Sequence, residues 1–277
     1  VRCVLETGVF QPAEEKIPGG AKLMLEEGVF KDREPDLIIA QHVLPEMETG
    51  HVGFKPGMYM AANDEVFIKV KGKGGHGALR HHIRDPILMA SRILLTLQEE
   101  IMQLAPAGSP TVLSFGKVLA NGAVNVIPDE VQLEGTFRTM NERWRKEAHG
   151  HMERISAEIA EAEGGSAEVE IRHGDPHQHN PQSLTTEARR LAVRLLGKEQ
   201  VEDMDNRMTA EDFARFTQKI PGMLYRLGVK DPDTLQPYSL HTPIFQASEA
   251  ALRTGISLMA YLAIELLKIE AVEKINP

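Results

Sequence analysis

The sequence predicts an α/β protein whose mostly parallel sheet, flanked by helices, is interrupted by a small α+β domain of ferredoxin-like order. Three observations carry this. A strand, a helix and a second strand follow one another within residues 1–40. Near Asn63 the pattern changes to strand, helix, two strands, helix, strand, the order of a small antiparallel sandwich. After Gly174 the helical period resumes. The expected boundaries are residues 1–62 and 174–277 for the two parts of the larger domain, and 63–173 for the insertion.

Taken in order, residues 1–10 are β-branched and apolar and read as a strand, followed by a loop over 11–18. Residues 20–27 carry Ala21, Leu23, Met24 and Leu25 and stop at Gly28, as a helix would. Residues 36–40 form a short apolar strand that ends at Gln41 and His42. Residues 65–71 alternate apolar and polar, the mark of a half-exposed strand, and 72–77 are a glycine-rich loop. Asp85 and Pro86 supply an N-cap and first helical position. Ile87, Ala90, Leu94, Leu97, Ile101 and Leu104 then recur at helical spacing.

Residues 111–118 and 130–138 read as a strand pair, 144–163 as a second amphipathic helix and 167–171 as a last strand. Residues 185–196 form a helix. Residues 209–219 read as another, with Thr209 and Asp212 spaced as a variant capping box. A buried strand over 223–227 and a long closing helix over 247–267 complete the chain.

With 277 residues, 42% of them hydrophobic and 26% charged, the chain can bury a substantial core. The formal net charge of −9, with no long basic run, argues against binding nucleic acid or an anionic membrane. A single cysteine, Cys3, excludes an intramolecular disulfide and fits a reducing, cytoplasmic setting. No signal peptide is visible, and the apolar run 256–267 is interrupted by Glu265 and reads as too short to span a bilayer. The opening at Val1, without Met, is what a truncated or processed chain would show.

Four places could carry chemistry. The pair Glu14-Glu15 follows a strand end, where open α/β sheets bind ligands. Neighbouring extended residues point opposite ways, so one carboxylate could hold a metal while the other polarises a water. The bland alternative is a solvated acidic pair ahead of a helix. His42 ends the next candidate strand on the same side of the sheet, and His241 lies in a proline-flanked loop before the last helix. Histidine is the commonest side-chain metal ligand, though a lone one is more often structural. His76 sits among glycines in Gly72-Lys73-Gly74-Gly75-His76-Gly77, which lacks the ending of a nucleotide P-loop. Cys3 reads as a small buried hydrophobe, and no Gly-x-Ser-x-Gly elbow exists. His81-His82 and the cluster His173, His177 and His179 have metal-like spacing but fall in polar loops, where solvent exposure is expected.

Together the motifs resemble the M20 metallopeptidase family, and most closely its N-acyl-amino-acid amidohydrolase branch, the hippurate hydrolase and aminoacylase group. The resembling stretches include Phe10-Gln11-Pro12-Ala13-Glu14-Glu15, Gln41-His42-Val43 and Gly74-Gly75-His76-Gly77-Ala78. They continue with Asn125-Val126-Ile127-Pro128-Asp129, Gly135-Thr136-Phe137-Arg138-Thr139, Ala210-Glu211-Asp212-Phe213 and His241-Thr242-Pro243-Ile244-Phe245, all in family order. The resemblance implies a catalytic α/β domain with an inserted lid domain that also forms a homodimer, and two divalent metal ions (Zn, Mn, Co or Ni). It matches Glu14 to the general base, Glu15 to a carboxylate ligand, and His42 and His241 to imidazole ligands. It matches His76 to a lid histidine that steadies the oxyanion in the partner's site, and Asn125 and Arg138 to lid positions near the substrate carboxylate.

The implied reaction is amide hydrolysis of an N-acyl amino acid. An N-acetylated diamino acid and a dipeptide are the alternative substrates. A catalytically inactive fragment, or a dimeric relative that only binds ligand, is the alternative of another class. Two departures stand out. The family's upstream Cys/His and Asp/His metal segment would precede Val1, so this chain alone is expected to bind metal weakly and hydrolyse little. Leu79-Arg80 also replaces the Met-Pro usual in this branch, so the lid loop is expected to differ.

Overall fold

The computed structural model of the chain describes residues 8–14, 19–233 and 239–268. They fold as two compact units. The first comprises Val1–Met60, Gln178–Arg207 and Glu211–Pro277, and the second Ala61–His177 with Met208–Ala210.

The first unit opens with helix α1 (Gly20–Glu26), strands β1 (Ile38–Glu48) and β2 (Val52–Phe54), and β3 (Gly57–Met60). In the second unit follow β4 (Ala62–Lys71), β5 (Gly75–His76), α2 (Pro86–Leu104), β6 (Thr111–Leu119), β7 (Val126–Ile127), β8 (Glu130–Thr139), α3 (Glu142–Ala162) and β9 (Ser166–His173). The chain returns to the first unit with β10 (Gln178–Asn180), α4 (Gln182–Leu196), β11 (Val201–Asp203), α5 (Ala214–Thr217), β12 (Gly222–Lys230) and α6 (Ala250–Lys268).

The first unit is built on a sheet of order β1-β12-β2-β11. The pairs β1–β12 and β2–β11 are parallel, whereas β12–β2 is antiparallel. Strand β12 is buried along nearly its whole length, as a strand covered on both faces must be. Its alternate residues Met223, Tyr225, Leu227 and Val229 pack with Leu184 and Leu191 of α4 and Leu258 and Leu262 of α6. Leu224 faces the other way, into a cluster with Ala21 of α1, Phe216 of α5, Tyr59 and Ala40. This alternation fixes which side chains share a face, since the side-chain period of a strand is two. The closing helix α6 is long and apolar enough to cross a membrane by length and composition, contrary to the short run read from the sequence. Within the unit its buried face, Ala251, Leu258, Leu262 and Leu266, packs in the core just described.

The second unit holds an antiparallel sheet of order β6-β8-β4-β9 with α2 and α3 packed in its core. Strand β4 alternates strictly, burying Val66, Ile68 and Val70 and turning Glu65, Phe67 and Lys69 outward. The expected N-cap of α2 forms. The Asp85 carboxylate accepts from the amides of Ile87 and Leu88, with Pro86 at the first position of α2. The Asn141 side chain accepts from Trp144 N at the start of α3. Each such cap contributes about 1 kcal/mol.

Three local expectations fail. The strand read as ending at Gln41 and His42 continues to Glu48, because Gln41 accepts from Tyr225 of the neighbouring β12 and His42 meets the Val43 carbonyl. The helix read over 209–219 shrinks to Ala214–Thr217. Asp212 caps α1 instead of its own segment, accepting from Ala21 N at 2.9 Å, and the Thr209 carbonyl accepts from Ala61 N. The strand read over 1–10 lies mainly outside the described residues, and residues 8–10 are not strand.

Candidate metal centre

In the first unit, His42 stands opposite Arg226 in the parallel register of β1 and β12. It belongs to the even-numbered set with Ile38 and Ala40, on the face that meets α1 and α5. Its Nδ1 lies 2.7 Å from the Val43 carbonyl oxygen. A carbonyl only accepts, so Nδ1 carries the hydrogen and Nε2 presents a lone pair. That Nε2 is 3.9 Å from Oε2 of Glu211. Burial, and then the positive charge of Arg226, push the His42 pKa down to about 4, so the imidazole is neutral at physiological pH. His241 also lies within electrostatic reach of His42.

Glu211 is buried, with 6% of its surface exposed. Burial pushes its pKa up to about 7, and the neighbouring charge of Glu14 adds to the effect. Glu14, His42, His241 and Glu211 are therefore electrostatically linked within this unit. Arg226 is the cation in their midst, held by donation from Nε to the Tyr59 hydroxyl at 2.7 Å.

The backbone around these groups is constrained. Ala13 and His241 are, among the described residues, the non-glycine residues with left-handed backbone, at φ 54° and 62°. Such conformations are uncommon outside glycine and gather at functional sites. The loop carrying Glu14 packs tightly on α1. A side chain at Gly20 would run into the Pro12 carbonyl, and Asp212 is tied to both Gln11 and the start of α1. Glu15 lies outside the described residues.

A neutral imidazole lone pair here faces a buried carboxylate at 3.9 Å, with the Arg226 charge beside both. The donor set of nitrogen and carboxylate oxygen suits a divalent transition metal. Sequence reasoning placed Ala210-Glu211-Asp212-Phe213 among the resembling stretches but did not assign Glu211 to the site. The available signal was an acidic pair ahead of an aromatic residue, in a segment misread as helix.

The second unit holds the other sequence-predicted residues. His76 lies in β5 and pairs with Val126 of β7, next to Asn125, whose carbonyl accepts from Gly77 N. Both are exposed. Arg138 is on β8 opposite Asn63 of β4, and its Nη1 donates to the Met208 carbonyl at 2.9 Å. Burial lowers its pKa. Because Glu130 pairs with Lys71 near the β5–β7 pair, Arg138 sits eight residues along β8 from that end, or about 26 Å at about 3.3 Å per residue. Within the unit, His76 and Asn125 come together and Arg138 does not join them.

A further cluster, Asp64, His149 and His173, brings ligand atoms within 4.8 Å of one another. Asp64 is fully buried and accepts from Arg145 through Nε at 2.8 Å and through Nη2, from His149 Nε2 at 2.8 Å and from Gly174 N at 3.2 Å. Burial alone would raise its pKa, but these donors hold it well below the usual carboxylate range. The Arg145 guanidinium already supplies the cation here. The histidines read as solvent-exposed are partly engaged as well, with His177 Nδ1 3.2 Å from Glu142 and His173 Nδ1 3.7 Å from Asp64.

The chain matches the model of Peptidase family M20/M25/M40 over residues 7–265. It is 35% identical over 255 residues to the N-acetyldiaminopimelate deacetylase of Geobacillus sp. (strain WCH70), a match covering 92% of this chain and 66% of the relative. The Bacillus licheniformis N-acetyldiaminopimelate deacetylase is 33% identical over 91% of this chain and 65% of its own length. Among solved structures, the Bacillus subtilis YXEP protein, described as a dinuclear metal binding peptidase from the M20 family, superposes with a TM-score of 0.77 at 32% identity. That match covers 94% of this chain and 64% of the other. The chain thus spans just under two thirds of the length of these relatives, and it belongs to Peptidase family M20/M25/M40.

Proposed function

We propose that this protein is a metal-dependent amidohydrolase that cleaves the amide bond of an N-acyl amino acid, releasing a carboxylate and a free amino acid. The observation that carries this reading is the linked group Glu14, His42, His241 and Glu211, with a neutral His42 Nε2 facing a buried carboxylate at 3.9 Å.

Glu15, His42 and His241 would hold the metal. A pair of divalent ions is favoured by the dinuclear description of the Bacillus subtilis relative, and Zn, Mn, Co or Ni would suit the donors. When bound, a divalent ion lowers the pKa of its water from about 16 to about 7 and polarises the amide carbonyl. Glu14 takes the proton from the attacking water and returns it to the leaving nitrogen. His76 donates to the oxyanion that develops on the carbonyl oxygen. The Nδ1 of His76 already accepts from Ala78 N at 3.2 Å, so its Nε2 carries the hydrogen and is the donor. Arg138 recognises the substrate carboxylate, and Asn125, which sits beside His76, would approach the substrate with it from the partner's lid. With Nη1 given to Met208, Arg138 keeps Nε and Nη2 for a bidentate contact.

In this reading residues 63–173, which fall within the second unit, serve as lid and dimerisation domain. Its support is a surface that suits a second copy. Strand β6 is an edge strand, and Leu88, Leu95 and Met102, seven residues apart on α2, are 39%, 59% and 50% exposed. A homodimer would let His76 serve the partner's site.

Within this class, an N-acetylated diamino acid is the favoured substrate, because the Geobacillus and Bacillus licheniformis relatives are N-acetyldiaminopimelate deacetylases. The test is a hydrolysis screen of the full-length protein, with its upstream metal segment, against acetyl- and benzoyl-amino acids and N-acetyldiaminopimelate with Zn, Mn, Co and Ni. Release of free amine from the acetyl-diamino acid supports the reading. No hydrolysis of any acyl amino acid with any of the metals defeats it.

A further inference from the structure

We infer that Glu211 is a metal-facing carboxylate of the centre, acting as a ligand beyond Glu15, His42 and His241. This inference rests on the metal-centre reading proposed above.

Four observations carry it. First, the Glu211 side chain is only 7% exposed, so its carboxylate is withdrawn from water and needs a partner. Second, one oxygen is engaged locally and the other is not. Oε1 accepts from Phe213 N at 3.3 Å, which leaves Oε2 turned toward His42. Third, the group it meets cannot donate to it, because His42 Nδ1 gives its hydrogen to the Val43 carbonyl and Nε2 is then an acceptor. The two ligand atoms are 3.9 Å apart, with the charge of Arg226 acting on both groups. Donors each about 2 Å from one ion lie within about 4 Å of each other, so the spacing suits a shared metal.

Fourth, the neighbouring carboxylate does not compete for the role. Asp212 is committed to Ala21 N and the Gln11 amide, and it anchors the loop that presents Glu14. The two acidic residues of the segment thus divide their work. Asp212 positions the loop and Glu211 faces the metal.

The test is metal binding, measured by isothermal titration with cobalt(II) and by the visible spectrum of the cobalt-loaded protein, on the full chain and three variants. Glu211→Gln keeps size and polarity but removes the charge. It is expected to weaken cobalt binding at least tenfold and to alter the cobalt spectrum, with an unchanged circular dichroism spectrum. Glu211→Asp is expected to recover part of the affinity. His42→Ala tests the underlying reading separately. If His42→Ala loses cobalt while Glu211→Gln binds like the parent with the same spectrum, the role of Glu211 is overturned and the centre stands. If neither variant changes binding, or the parent chain binds no cobalt, the centre itself is overturned and Glu211 with it.

Discussion

Replacing Asp64 by asparagine should destabilise the second unit more than any other single polar substitution in it. Asp64 is fully buried and accepts from Arg145 twice, from His149 and from Gly174 N. The asparagine would keep one acceptor oxygen but turn an NH2 toward the guanidinium, leaving Arg145, itself only 7% exposed, with the half-exposed Glu142 as its remaining carboxylate partner. Breaking a buried pair by removing one partner costs about 3–5 kcal/mol, because the remaining charge stays desolvated. For a domain of this size, about 3 kcal/mol lowers Tm by about 10 °C or more. Trp144 is the single tryptophan of the chain, is buried in the same unit and donates to Thr111, so its fluorescence reports that unit's unfolding in urea. A loss under about 1 kcal/mol would refute the view that this network holds the unit together. A double replacement of Asp64 and Arg145 by apolar residues should recover much of the loss, since it leaves no charge unpaired.

Further outcomes follow from the same geometry. Asp64 and Glu142 both have pKa values held below the ordinary carboxylate range, Glu142 at about 2 after the donors from His177 and Arg145 overcome its burial. Their stabilisation is complete above the unfolded pKa of about 4 and is lost as pH falls toward about 2, so Trp144 fluorescence should show acid unfolding in that window. Glu211 has the opposite sign, its pKa pushed up to about 7 by burial and by Glu14. Metal binding near pH 6 should therefore release a proton, detectable as a buffer-dependent heat, and the release should fade above pH 8. His76→Ala should lower turnover far more than it lowers metal content, and equal turnover would remove His76 from the chemistry. In the proposed homodimer, Leu95→Asp, on the exposed stripe of α2, should shift the protein toward monomer in sedimentation velocity, and a monomeric parent or an unaffected variant would remove this stripe as the interface.

Much of this was legible in the sequence, and the misses have physical causes. The elements of the second unit were readable because β4 alternates and α2 and α3 repeat at helical spacing, so each announces its buried face. His42 was found as a candidate but placed at a strand end, since a polar pair looks like the end of an apolar run. In the fold, Gln41 accepts from Tyr225 and His42 bonds the Val43 carbonyl, which lets the strand continue. Glu211 was not assigned because its meaning depends on a neighbour 169 positions away, brought close only by the parallel pairing of β1 and β12. Asp212 misled for a similar reason, capping a helix distant in sequence, with the look of a local cap. The ion pair of Arg145 with Asp64 is likewise a long-range contact that no local pattern encodes.

The most direct test of the central claim is a metal-soaked crystal structure with anomalous scattering at the metal edge. The account predicts a metal peak bonded to His42 Nε2, with His241, Glu15 and Glu211 in its shell. A peak at Asp64, His149 and His173 instead, or none near His42, would contradict it.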